Sequence, residues 1–242
     1  MESSTPGRNK PRESKGSPAA AAPDERPDCM RLLELLPPYS MDDVHRAYKA
    51  RALKLHPDQG GSATDFVRLK EAYEEAQDFV KFREGRRGWM ASQVEPYMRM
   101  LEIVGETERR GGSIESESVD WMQRSYGDFA ALADRIRIIR YRGRDDGDSY
   151  LQFLAQNNRS LQFLQELDLE DTRLSADGFS RLDKLRGLQR LNLKGTAVTT
   201  ESLVVLLDLP EMQRIIIGAN DLTWWQRQKL GWKNRAVELQ IV

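Results

Sequence analysis

The chain has 242 residues, 39% of them hydrophobic and 31% charged, which is material for two small domains with a large solvated surface. A net charge of −1 excludes nucleic-acid binding by bulk positive charge, and the single cysteine, Cys29, excludes an internal disulfide or a cysteine-built zinc site. No apolar run approaches the length of a membrane span and the N-terminus has no apolar signal core, so the expected location is cytoplasmic.

Residues 1–28 are rich in Ser, Pro, Ala and charged residues, with almost nothing to bury. They predict a disordered tail. Its cations Arg8, Lys10, Arg12 and Lys15 are interrupted by Pro11 and Glu13, so they read as solvated in preference to an acidic-partner site. Residues 29–36 predict a short apolar helix, with Leu32, Leu33, Leu35 and Leu36 packing against the helical pair after it.

Two longer helical patterns come next. In the first, Val44, Ala47, Tyr48, Ala52 and Leu55 share one face, while Arg46, Lys49, Arg51 and Lys54 fall largely outside it. Ser40 is placed to cap it, with Asp42 and Asp43 in the first turn. Pro57 ends it, and Gly60-Gly61 turns the chain. In the second, Phe66, Leu69, Ala72, Tyr73, Ala76 and Val80 form the stripe, capped by Ser62 or Thr64. Packing the stripes together predicts an antiparallel helical hairpin, with His56 and Asp58 held out in solvent at its tip.

Glu84-Gly85-Arg86-Arg87-Gly88 then reads as a linker. Residues 91–104 predict a helix with the stripe Val94, Tyr97, Met98, Leu101 and Val104. Residues 117–133 predict another, with Trp121, Met122, Tyr126, Phe129 and Leu132. Glu106 to Ser118 between them is polar. Residues 85–133 are either a connector or a helical cap for the remainder.

The second half repeats. Leu164, Leu167, Leu169, Thr172 and Leu174 recur twenty-four residues later as Leu188, Leu191, Leu193, Thr196 and Val198. They recur again, at the same interval, as Met212, Ile215, Ile217, Asn220 and Leu222. Ile136, Ile139 and Tyr141 form a degenerate earlier unit. Such a period predicts one short strand per unit, stacked in parallel, with the leucines inward. The threonines and Asn220 bond the turning backbone. Phe179, Leu182 and Leu185, then Leu203, Leu206 and Leu207, form the helical side. The segment 117–133 is expected to close one end. The tail from Trp224-Trp225 closes the other, with Val237, Leu239 and Ile241 as a final strand.

Positions flanking the inward leucines line the exposed strand face. They read Ile138, Arg140, Arg142; Glu166, Asp168, Glu170; Arg190, Asn192, Lys194; Arg214, Ile216, Gly218. Neighbouring strands lie about 4.8 Å apart. Arg140–Asp168, Arg142–Glu170, Glu166–Arg190 and Glu170–Lys194 are therefore expected to pair across the sheet. The other reading makes Arg140, Arg142, Arg190, Lys194, Arg214 and Ile216 a surface for a charged client protein.

Residues 29–84 resemble a J-domain, the module of DnaJ-type co-chaperones. The resemblance rests on Val44-His45-Arg46-Ala47-Tyr48-Lys49, Leu53-Lys54-Leu55-His56-Pro57-Asp58, and Phe66, Leu69, Lys70-Glu71-Ala72-Tyr73. Departures are Arg51, where the family usually has leucine, and Pro37-Pro38 in place of a glycine turn. Residues 134–223 resemble leucine-rich repeats of the form Leu-x-x-Leu-x-Leu-x-x-Thr/Asn-x-Leu, and with a C-terminal cap the domain reaches residue 242.

The resemblances imply an α+β multidomain chain: an all-α J-domain followed by a short α/β solenoid. They imply a co-chaperone that docks on a DnaK-type heat-shock ATPase through Arg46, Lys49, Arg51 and Lys54. His56, Pro57 and Asp58 would then favour ATP hydrolysis by that partner. The repeats would bring a client or a location. The chain itself is expected to catalyse nothing and to need no cofactor or metal. The alternative is a scaffold whose J-domain no longer stimulates an ATPase.

Overall fold

A computed structural model describes residues 24–56, 59–218 and 237–242. The fold is mixed α and β. Helix α1 (Asp28–Leu32) is followed by α2 (Met41–Leu55), whose first turn is closed by Ser40 Oγ accepting from the Asp43 N–H at 3.2 Å. The helix stops where His56 turns extended, the geometry that a following proline imposes. Ser62, not Thr64, caps α3 (Ala63–Arg109), accepting from the Asp65 N–H at 3.3 Å. Helices α2 and α3 pack as an antiparallel pair. Val44, Leu69, Ala72, Ala76 and Val80 are buried between them, and the Tyr48 and Tyr73 rings stack at 4.1 Å.

The expected linker at 84–88 is helical. Only Gly85 leaves helical geometry (φ −154°, ψ 68°), so α3 bends there and continues. The bend brings Trp89 back onto Phe82, ring centres 5.2 Å apart, although seven residues of straight helix would separate them by about 10 Å along the axis. Trp121 joins both rings, at 5.2 Å from Phe82 and 5.9 Å from Trp89.

The polar stretch before Ser118 contains a strand, β1 (Ser113–Glu117). The helix expected over 117–133 is shorter: α4 (Asp120–Tyr126), then a 3-10 segment, Gly127–Ala133. Its Trp121 and Met122 are buried with the helical pair, not against the repeats. The 117–133 segment therefore caps the helical bend, and the end of the repeat sheet is closed by β1, antiparallel to β2 (Arg135–Arg140).

The remaining strands are β3 (Glu166–Asp168), β4 (Arg190–Asn192), β5 (Arg214–Ile217) and β6 (Glu238–Ile241). Strands β2 to β6 are parallel and in sequence order, giving one six-stranded sheet with β1. Ile139, Leu167, Leu191, Ile215 and Leu239 are register partners across it. Helices α5 (Gly147–Gln156), α6 (Ala176–Arg181) and α7 (Thr200–Leu207) pack on the inward side. Thr172 Oγ1 donates to the Tyr141 carbonyl and Thr196 Oγ1 to the Leu193 carbonyl, each at 2.6 Å. Asn220, Leu222, Trp224 and Trp225 lie outside the described residues, as do residues 1–23 of the expected tail.

Two cores result. One holds α1, α2, the first half of α3 and α4; the other holds the sheet and α5–α7. Helix α3 belongs to both, because Ile103 in its second half is buried in the sheet core. Of the stripe expected here, Val94, Met98 and Leu101 are exposed and Tyr97 and Val104 half-buried, while Met100, Ile103 and Thr107 face inward.

Candidate functional site

The outer face of α2 presents Arg46, Lys49, Leu53 and Lys54 to solvent. Arg46 pairs with Asp43 one turn earlier, leaving an exposed guanidinium anchored at one side. Arg51 departs from the expectation that it joins this face. Its Nη1 meets Glu34 Oε1 at 2.5 Å, and its Nε is buried without a partner. Glu34 adopts a left-handed backbone (φ 58°) just after α1, which carries its carboxylate to α2. Arg51 is thus a brace between α1 and α2, and the docking face has three cations instead of four.

His56 also differs from the expectation. It does not stand out in solvent but is half-buried, with its ring edge-on to Phe66 at 5.2 Å. That contact fixes the start of the loop against α3. Pro57 and Asp58 lie outside the described residues.

Sequence reading missed the contact between the helical pair and the sheet. Glu71, on the side of α3 away from α2's exposed face, accepts from Arg137 Nη1 at 2.7 Å and from Gln165 Nε2 at 2.9 Å. Lys70 Nζ reaches Glu211 at 2.6 Å. Arg135 lies 3.7 Å from Asp78 and 4.0 Å above the Phe163 ring. These partners are far apart in sequence, and charge patterning offers no signal for pairing at that range. The consequence for the site is direct: the sheet grips the inner side of the hairpin and leaves the basic face open.

Burial dominates three carboxyls at this contact, and holds Glu74, Glu75 and Asp78 above the ordinary carboxylate range. Arg135 opposes the shift in all three, but one guanidinium cannot offset three carboxylates. Desolvation lowers the Arg135 pKa in turn. A carboxyl raised in the folded state is bound to its proton more tightly there than in the unfolded chain. Its penalty is therefore present at neutral pH and disappears as pH falls through the raised value. Glu75, whose Oε1 is buried without a partner, is the clearest case. Glu75→Gln should raise the thermal midpoint at neutral pH and flatten its rise on mild acidification. A variant less stable than the parent at neutral pH would contradict this.

The strand face is committed to itself. Arg142 Nε donates to Asp168 at 2.7 Å and lies 3.9 Å from Glu170; Arg190 meets Glu166 at 2.8 Å; Lys194 meets Glu170 at 2.8 Å. Arg214 meets Glu238 of β6 at 2.9 Å. Of the four expected pairs, Arg140–Asp168 does not form. Arg140 turns to Glu115 of β1 at 2.5 Å, because β1 supplies an acidic neighbour that the repeat pattern could not reveal. Each cation proposed for a client thus already holds a carboxylate, and Ile216 is half-buried.

No family model matches the chain, and neither a curated protein nor a solved structure matches it.

A cleft of about 1160 Å³ opens between α3, the 3-10 segment before β2 and the end of α5. Asp78, Tyr97, Arg135, Asn157 and Phe163 line it. Among the described residues, no group of three or more His, Cys, Asp or Glu could hold a metal ion, and no helix is long and apolar enough to cross a membrane. Cys29, the one cysteine, is buried, and burial pushes its thiol far above the ordinary range. It is a core residue, not a nucleophile.

Proposed function

We propose that the chain is a J-domain co-chaperone acting on a DnaK-type heat-shock ATPase in the cytoplasm, with the repeats binding a client or a targeting partner. The observation that carries this reading is the open basic face of α2. Arg46, Lys49 and Lys54 surround exposed Leu53, and the helix leads into His56-Pro57-Asp58. The inner side of the hairpin is meanwhile held by Glu71 and Lys70.

An acidic surface on the ATPase would be steered to α2 by these cations, whose charges mainly govern encounter rate and salt dependence. The loop residues would then act on the partner by binding its hydrolysis-competent state better than the resting one. This chain carries no reacting group in that scheme. The Arg51–Glu34 pair gives the departure from leucine a packing role between α1 and α2, which is compatible with either a stimulating J-domain or the scaffold alternative.

Lys49→Glu with Lys54→Glu should weaken association with the ATPase by about tenfold at low salt and reduce its salt dependence, through loss of steering charge. Binding measured by fluorescence anisotropy across a salt series tests this. Unchanged affinity at every salt concentration would remove α2 from the docking surface.

A client using the charged strand face would have to compete with the cross-strand pairs already formed there. Such pairs are worth roughly 0–1 kcal/mol each when exposed, so competition is feasible for a partner carrying the same alternation of sign.

A further inference from the structure

The Gly85 bend carries three exposed arginines, Arg83, Arg86 and Arg87. None of them pairs with a carboxylate among the described residues, and none of their side-chain N–H groups donates to a protein acceptor there. Exposed arginines elsewhere are mostly neutralised: Arg46, Arg99, Arg142 and Arg190 each hold a carboxylate. Three cations left without one inside five residues occur nowhere else among the described residues. They stand at i, i+3 and i+4, where like charges repel.

The arginines are also held in place. Arg83 lies over the Phe79 ring at 5.8 Å, and Arg86 over Phe82 at 5.6 Å and Tyr126 at 4.5 Å. Phe79 and Phe82 pack on Trp121, so the rings that fix the bend also fix the bed beneath the cations. Stacking engages the face of a guanidinium and leaves its edge, which carries the N–H donors, open to a ligand. The backbone beside them is bare: no atom lies within 4 Å of where a side chain at Gly85 or Gly88 would be.

We propose that Arg83, Arg86 and Arg87 form a docking site for a short acidic segment of a partner protein, whose carboxylates meet the guanidinium edges in forked contacts. Charge and reach select this partner. The three cations span about 6 Å of helix axis, which matches a few carboxylates. A nucleic-acid backbone needs a positive groove that follows about four or more nucleotides. Glu84 is exposed within the cluster. A peptide can set a neutral residue opposite Glu84, whereas a polyphosphate brings a charge at every step.

The site is separate from the tip of the hairpin. It lies about 30 Å along α3 from Phe66, against which His56 packs. An acidic segment at the bend and a partner at the tip can therefore be held together, and the bend site does not depend on what the tip binds.

Fluorescence anisotropy of the full chain with a short labelled peptide of alternating Glu and Ser tests the proposal. Salt of about 0.15 M screens weak long-range attraction. The expected result is saturable binding that Arg83→Glu with Arg87→Glu weakens about tenfold, with an unchanged far-UV circular dichroism spectrum. Arg87→Glu alone, at a position that stacks on no ring, should weaken it about threefold. A parent that does not bind the peptide overturns the proposal, as does binding indifferent to both variants. Loss of binding on Lys49→Glu with Lys54→Glu, and not on the bend variants, would place the peptide on α2 and overturn it too. A single-stranded oligonucleotide of the same length that binds the bend more tightly than the peptide would overturn the choice of a protein partner.

Discussion

Trp121→Ala should destabilise the helical core by about 3–5 kcal/mol, the usual cost of removing a fully packed large aromatic side chain. Trp121 is buried, and its ring lies 5.3 Å from Phe79, 5.2 Å from Phe82 and 5.9 Å from Trp89. It therefore contacts both sides of the Gly85 bend, as Tyr126 also does through Phe82 at 4.9 Å and Arg86 at 4.5 Å. Removing it leaves a cavity at the bend and frees α4 from α3. Trp121→Phe should cost far less. The indole N–H is buried without a partner, so the replacement discards a group that was already costly to bury. Chemical denaturation followed by circular dichroism separates the two variants. Equal losses for alanine and phenylalanine would mean that the ring packing at the bend is not what holds α4.

Leu191→Ala should cost about 3 kcal/mol, within the range for leucine truncation in a core that cannot collapse. Leu191 sits in the middle of the inward column, between Leu167 and Ile215, and is 1% exposed. In stacked repeats each unit depends on its neighbours, so a cavity in a central strand weakens the stack on both sides. Glu166→Ala on the outer face is the contrast. It breaks only the part-exposed pair with Arg190, worth roughly 0–1 kcal/mol. A Leu191→Ala loss as small as that of Glu166→Ala would contradict the inward placement of the leucine column.

The elements that were legible in sequence are those whose stripe meets its own neighbour. Helix α2 and the start of α3 pair locally, so periodicity and Ser40 sufficed to place them. The inward columns of β3 to β5 follow from the interval of twenty-four residues. That interval also reaches β6: Ile215 pairs with Leu239, Ile217 with Ile241, and Arg214 with Glu238, each at the same spacing. Sequence reading found Leu239 and Ile241 by alternation alone and missed that they continue the repeat.

Other features left no local trace. Strand β1 reads Ser-Ile-Glu-Ser-Glu, with one apolar residue and so no alternation to detect. The Gly85 and Gly88 pair looked like punctuation, but the bend needs only Gly85, and Trp89 repays it by packing on Phe82. In the second half of α3, periodicity revealed an apolar stripe but not which face meets a core. The sheet takes Met100 and Ile103, and Val94, Met98 and Leu101 are left outward. Arg51 is expected outside the α2 stripe, but it stands two turns after buried Val44 and is half-buried with its Nε enclosed. Its partner Glu34 depends on a left-handed residue that no pattern announced.

The central claim is that the hairpin stimulates a partner ATPase. Single-turnover ATP hydrolysis by the host's DnaK-type chaperones, with and without this chain, tests it most directly. Stimulation that Asp58→Asn abolishes, while the far-UV spectrum of the variant stays unchanged, is the predicted result. Hydrolysis rates that are the same with and without the chain, for every DnaK-type chaperone of the host, would contradict it.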